Sequence, residues 1–304
     1  MMDTSVRITS TLTLKNPVLS ASGTFAYGEE FSKLFDLSIL GGILTKGLSL
    51  KPKEGNPTPR VCEAPCGLIN AIGLENIGVD AFISDKLPFL CTFDTPIIVN
   101  FFGTREEEYE LMAGRLNIEG VSAVEMNVSC PNVSKGGLEF GKDPGILRNL
   151  VAQVRKATEK PLIVKLTPLV SDIGEMALAA QDGGADAVTC SNTIPAMAID
   201  EKTWRPVLGN ATGGLSGPAI KPIALRNVWE VAKRVRIPII ASGGAGSWQD
   251  VIQFLLAGAS AVEIGSASLR DPLCFRSIIE GIESYMYDHN LMSVYELIGK
   301  LKTP

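Results

Sequence analysis

The stretch with the most chemical potential is NVSCPNVSKGGLEFGKDP, residues 127–144. Cys130 follows an apolar run there and precedes Pro131, which fixes the local backbone, and Gly136, Gly137 and Gly141, which permit movement. A thiol in that setting can serve as a nucleophile or as a proton acceptor, and residues 131–142 read as a lid. Cys91 and Cys190, by contrast, are expected to be small buried side chains. Two lysines, Lys46 in ILTKG and Lys165 in IVKLT, close other apolar runs and suggest an anionic ligand. A flavin, which gains negative charge near its pyrimidine ring on reduction, would use one of them; so would a Schiff-base aldolase, and lysine alone leaves both open. ASGGAG (241–246) and IGSAS (264–268) place small residues just ahead of helical patterns, where backbone N–H groups can surround a phosphate. GGLSGPA (213–219) is a third glycine-rich turn opening a helix.

Composition narrows these options. His289 is the only histidine among 304 residues, which rules out a His-rich metal site and places any Ser–His–Asp or Cys–His pair near the C-terminus. Proton transfer therefore falls to another side chain. Twenty-eight Lys+Arg against 33 Asp+Glu give a net charge of −5, the balance of an ordinary soluble enzyme rather than of a nucleic-acid binder. With 45% hydrophobic and 20% charged residues, a large core is available and wholesale disorder is excluded. The six cysteines (Cys62, Cys66, Cys91, Cys130, Cys190, Cys274) show no disulfide framework, and the C-x3-C at Cys62 and Cys66 lacks a second pair, so no metal is expected. The N-terminus has no apolar signal core and no run reaches 18 apolar residues, so the expectation is a reduced cytoplasmic protein with no membrane attachment.

The elements that must position these residues are legible as a repeat. TPIIVNFFG (95–103), KPLIVKLTP (160–168) and IPIIASGG (237–244) each follow a proline with an apolar strand. They alternate with GVSAVEMNVSC (120–130), GADAVTCSNT (184–193) and GASAVEIGSA (258–267), and helical patterns such as 143–160 and 247–258 lie between. NPVLSASG (16–23) and GGILTKG (41–47) make eight strands. Eight βα units in one domain spanning 1–304 predict an α/β fold, a TIM (β/α)8 barrel with loops inserted over its C-terminal face. A doubly wound sheet is disfavoured because no G-x-G-x-x-G follows the first strand. In a barrel the active site gathers where strands end. There the sequence offers Ser20 to Ser22, Thr45, Lys46, Asn100, Asn127, Lys165, Asn192, Thr193, Ser242 to Gly244, Gly265 and Ser266. The Pro-, Gly- and Asn-rich segment 48–78 is expected to lie over the barrel as a functional loop.

NVSCPN, CGLINAIGLEN (66–76), SNT (191–193), GGLSGPAIKP (213–222) and IPIIASGG, in this order and spacing, resemble the dihydroorotate dehydrogenases over roughly residues 5–290. Within that family, cysteine at position 130, NAIGL and SCPNVSKGG are similar to the class 1B catalytic (FMN) subunit rather than to the fumarate-using class 1A or the membrane-bound class 2. The resemblance implies oxidation of (S)-dihydroorotate to orotate in de novo pyrimidine (UMP) biosynthesis. Cys130 would take the C5 proton while hydride leaves C6 for the flavin N5. By the same resemblance Lys46, Asn70, Ala71, Ile72, Gly73, Leu74, Asn127, Asn192 and Thr193 would hold the substrate. Ser22, Thr45, Lys46, Asn100, Asn127, Lys165, Ser191, Gly217, Gly243, Gly244, Gly265 and Ser266 would hold FMN. The family often carries an aliphatic residue where Ser191 stands, and Thr where Ser266 stands; Ser191 would act through its backbone and Ser266 keeps a hydroxyl. A partner subunit with FAD and a 2Fe–2S cluster would pass electrons to NAD, around a homodimer core within a heterotetramer; this chain has neither a four-cysteine pattern nor a dinucleotide fingerprint. The competing readings are a dihydropyrimidine dehydrogenase-like flavoenzyme, a phosphate-binding barrel isomerase or lyase, and a non-catalytic scaffold.

Overall fold

A computed structural model describes residues 2–129 and 140–302. Eight short parallel strands form one sheet: β1 (Val18–Ser20), β2 (Ile43–Leu44), β3 (Ile97–Phe101), β4 (Ala123–Asn127), β5 (Leu162–Lys165), β6 (Ala187–Cys190), β7 (Ile239–Ser242) and β8 (Ala261–Ile264). Each pairs with its sequence neighbour from β2 through β8, and β8 pairs with β1. The ring closes between β1 and β2, where the Gly41 N–H donates to the Val18 carbonyl at 2.9 Å and Leu19 bridges Gly42. All eight strands expected from the repeat are present, and the fold is the (β/α)8 barrel. Strands covered on both faces are apolar over most of their length, which is why they read as Val/Ile/Leu runs.

The outer layer includes α1 (Glu106–Arg115), α2 (Pro144–Ala157), α3 (Ile173–Asp182), α4 (Lys221–Ala232), α5 (Trp248–Ala257) and α6 (Cys274–Asp288). Their ends are marked by ordinary chemistry. Asp143 accepts from the Ile146 N–H and opens α2; Ser247 and Asp250 form a reciprocal capping box on α5; Gly258, at φ +117°, ends it. Buried Leu147, Leu150, Val151 and Val154 put one face of α2 on the barrel. His289 caps the end of α6, stacked on Tyr285 and away from the strand ends.

Three expectations are corrected. Segment 48–78 contains an antiparallel hairpin, Val61–Ala64 with Gly67–Asn70. The 213–219 stretch is largely a strand, Thr212–Ser216, which pairs with both that hairpin and Ile194–Met197 into a four-stranded sheet beside the barrel mouth. Only after Gly217 (φ +98°) does the chain turn into α4. Cys190 is buried as expected, but Cys91 is exposed at the end of helix Leu87–Leu90. Among the described residues, no helix is long and apolar enough to cross a membrane.

Candidate active site

A cavity of about 540 Å³ opens where the barrel strands end, between them and the four-stranded sheet. Its size falls within the roughly 300–1,000 Å³ usual for small-molecule sites. Most of the residues expected at the site meet there. Ser22, Lys46, Asn100, Asn127, Lys165, Asn192 and Thr193 line it, as do Asn70, Ala71, Ile72, Gly73 and Leu74 from the hairpin side. Gly217, Gly243, Gly244, Gly265 and Ser266 line it too, the last two leading into the short helix Ala267–Arg270. Thr45 and Ser191 do not reach the cavity surface. Thr45 is fully buried with its hydroxyl on the Lys46 carbonyl (3.2 Å), and the Ser191 N–H donates to the Ser242 carbonyl (2.9 Å). Cys130, and the lid up to residue 139, lie outside the described residues.

The floor of the cavity is charged. Lys165 Nζ lies 2.6 Å from Glu263 Oε2 and 3.5 Å from Glu125 Oε1, with every one of these side chains essentially out of solvent. Asn100 Nδ2 donates to Glu125 Oε1 (2.6 Å), Thr189 Oγ1 to Glu125 Oε2 (2.5 Å) and Ser242 Oγ to Glu263 Oε2 (2.8 Å). Contacts between β4 and β6, and between β5 and β8, join strands that are not neighbours, so these side chains point into the barrel. Burial alone would lower the Lys165 pKa, but the two carboxylates outweigh it and hold the ammonium form. Burial and Glu125 push the Glu263 carboxyl above the usual carboxylate range, against the opposing pull of Lys165. Two buried acceptors, Asn100 Oδ1 and Glu263 Oε1, accept no hydrogen bond from the described residues, and both residues line the cavity. Unmet acceptors in such a place call for a donor from a ligand.

Glu125 and Glu263 were not among the expected site residues, although the sequence carries a signal for them. The tetrapeptide Ser-Ala-Val-Glu occurs at 122–125 and at 260–263, with Asp-Ala-Val-Thr at 186–189 in the strand between. Glu125, Thr189 and Glu263 thus occupy one repeat position on β4, β6 and β8. Asn100, Lys165 and Ser242 each stand four residues after the proline that opens β3, β5 and β7. The registers place Asn100 beside Glu125, Thr189 beside Lys165, and Ser242 beside Glu263. A barrel interior is built in layers from alternate strands, usually of branched apolar residues. Here the layers nearest the mouth are polar.

Nearer the mouth, Lys46 Nζ is 4.0 Å from Glu75 Oε2, which Arg60 also holds at 2.9 Å. Asn127 Oδ1 accepts from the Ser129 N–H (3.0 Å), Asn192 Oδ1 from the Thr193 N–H (2.8 Å), and Asn70 Nδ2 donates to the Gly214 carbonyl (3.2 Å). Each leaves further amide capacity for a ligand.

Fold and site together define a (β/α)8-barrel enzyme with a small-molecule cavity at the C-terminal face of the barrel. The family model described as dihydroorotate dehydrogenase matches residues 5–286. The chain is 52% identical over 301 residues to a protein of Geobacter sp. (strain M21), covering 99% of this chain and 98% of the relative. It is 54% identical over 291 residues to one of Thermoanaerobacter sp. (strain X514), 96% of each. Both relatives are named dihydroorotate dehydrogenase B (NAD(+)), catalytic subunit. The crystal structure of DHODH from Eimeria tenella with ferulenol superposes with a TM-score of 0.80 at 23% identity, over 98% of this chain and 88% of that one, a likeness of fold. The chain belongs to the dihydroorotate dehydrogenase family.

Proposed function

We propose that the protein is an FMN-dependent dihydroorotate dehydrogenase catalytic subunit, oxidising (S)-dihydroorotate to orotate in pyrimidine biosynthesis, with the whole chain 1–304 as one FMN-binding domain. The observation that carries this reading is identity of 52–54% with relatives of that name over nearly the full length of each chain. The cavity supports it physically. Asn100 Oδ1, buried and without a donor among the described residues, suits an N–H of the flavin pyrimidine ring, and Lys165 suits the electron-rich edge of that ring. Gly217, Gly243, Gly244, Gly265 and Ser266, beside the short helix after β8, suit a phosphate. Ser22 would contribute to the same cofactor, and Thr45 and Ser191 would act through the backbone they anchor.

FMN, when bound, supplies the two-electron acceptor. The chain's own residues do the rest. Asn70 to Leu74, Asn127, Asn192 and Thr193 hold the substrate ring, and Lys46 meets its carboxylate while contacting the cofactor. Cys130 removes the proton from C5. A free thiol has a pKa near 8.5, so flavin reduction by dihydroorotate rises with pH through an alkaline apparent pKa. The relatives are named NAD(+)-linked catalytic subunits, and a partner subunit with FAD and a 2Fe–2S cluster would carry the electrons on to NAD, with two copies of this chain at the centre of a heterotetramer in the cytoplasm.

The test is an absorbance spectrum of the purified chain followed by anaerobic addition of dihydroorotate. A flavin band that bleaches supports the reading; a colourless chain, or a flavin that another dihydropyrimidine reduces and dihydroorotate does not, overturns it. Cys130→Ala is expected to slow the bleaching by orders of magnitude with FMN still bound.

A further inference from the structure

The cavity-floor lysine is balanced by more acid than it needs. Two carboxylates, Glu263 at 2.6 Å and Glu125 at 3.5 Å, share the one Lys165 ammonium, and no solvent reaches either carboxylate side chain. Asn100 and Thr189 both spend hydrogen bonds on Glu125. Glu263 lines the cavity and, among the described residues, accepts from Ser242 and Lys165 on Oε2 and from no donor on Oε1. When both carboxylates are ionised, an excess negative charge sits against the ligand space, where water does not screen it.

We propose that Glu263 is a positioning residue that fixes Lys165 at the cavity floor and, when ionised, offsets its charge, so that Glu263 sets how readily bound FMN is reduced. This rests on the FMN reading above. Reduced flavin carries added negative charge at its pyrimidine ring. A Lys165 paired with an ionised Glu263 attracts that charge weakly; a Lys165 beside a neutral group attracts it strongly. The groups facing Glu263 are Lys165 from β5, Glu125 from β4 and Ser242 from β7, of which the first two carry charge. Because burial and Glu125 raise the Glu263 pKa, its charge develops toward alkaline pH.

The experiment equilibrates FMN-loaded wild type and Glu263→Gln with a redox dye under anaerobic conditions, reading flavin and dye absorbance at about pH 6 and about pH 9. At pH 9 the variant is expected to show at least a tenfold higher ratio of reduced to oxidised flavin at the same dye potential, roughly 30 mV for a two-electron couple. At pH 6, where Glu263 is protonated, the two proteins should agree within about twofold. Glu125→Gln shifts the ratio in the same direction and serves if Glu263→Gln does not fold. A purely structural role would lower FMN content and leave the ratio alone. An unchanged ratio at pH 9 in FMN-loaded variants of both kinds, or an equal displacement at both pH values, overturns the proposal. A wild-type chain that takes up no FMN overturns the cofactor reading first, and this inference with it.

Discussion

Lys165→Met removes the one cation between two buried carboxylates, and the penalty can be worked from that arrangement. With the ammonium gone, Glu125 and Glu263 face each other in the barrel interior with Asn100, Thr189 and Ser242 as their side-chain donors among the described residues. Glu263, its pKa raised to about 8, already holds a proton in wild type below that pH; without the cation the remaining buried carboxylate has no counter-charge and must take one too, so the folded variant binds about one proton more than wild type. In the unfolded chain the same carboxyl has its ordinary pKa of about 4.3, and holding the extra proton costs about 1.36 kcal/mol per pH unit above that value. The penalty is therefore about 5 kcal/mol at pH 8 and about 1.6 kcal/mol at pH 5.5, the former matching the roughly 3–5 kcal/mol typical of a broken buried pair. With an unfolding entropy of about 2.1 cal/mol/K per residue, or about 0.64 kcal/mol/K for 304 residues, Tm should fall by about 8 °C at pH 8 and about 2–3 °C at pH 5.5. The sign follows from the raised folded pKa: stability is retained below the unfolded pKa and lost as pH rises toward the folded one. Thermal melts of wild type and variant without FMN, so that ligand linkage does not enter, make the comparison. Equal Tm values at pH 8, or a deficit that grows toward acid, would refute the charge accounting.

Three further outcomes are expected. Gly244→Ala puts a Cβ 2.7 Å from the Gly217 carbonyl at φ +82°, so stability should drop by at least about 1 kcal/mol and FMN retention on dialysis should weaken. Asp250→Asn removes the charge paired with Lys221 (2.5 Å) and leaves one carbonyl oxygen where two carboxylate oxygens served Lys221 and the Gly246 and Ser247 N–H groups. Burial would raise the Asp250 pKa, but these donors together pull it below the usual range; denaturant midpoints should therefore differ from wild type near neutrality and converge as pH falls through the depressed pKa. Phe275→Ala empties a site packed by Phe25, Phe31 and Phe35 at full burial, and urea titration should show a loss of about 3–5 kcal/mol.

How far the sequence could be read depended on how local each signal was. The barrel was legible because each of its strands is a short apolar run with its own punctuation, proline ahead of β3, β5 and β7 and a small-residue turn ahead of β4, β6 and β8. The sheet over the mouth was not, since Leu68 pairs with Ser216 and Ile69 with Leu215, partners about 150 residues apart in strands that are neither apolar nor alternating. Nothing local in Gly67–Asn70 announces such a partner. Cys91 misled for a related reason: it follows the buried Leu90 yet ends its helix, so its side chain turns outward.

The polar floor shows what a repeat adds to such readings. Lys165 was visible as an isolated charge at a strand end, but a lone buried lysine between apolar neighbours is a group its surroundings would neutralise. What keeps it charged comes from other strands, at the position each repeat unit shares: Glu125 and Glu263 from the two Ser-Ala-Val-Glu strands, Asn100 and Ser242 from the proline-led ones. In a closed barrel, equivalent positions on alternate strands converge on the axis, so a charge found once in a repeat directs attention to the same position in every other unit. Applied here, that rule finds both missed carboxylates from sequence alone. It also explains why they are acids: a cation held dry at the bottom of a cavity must meet its counter-charge across the barrel, because adjacent residues along its own strand point outward.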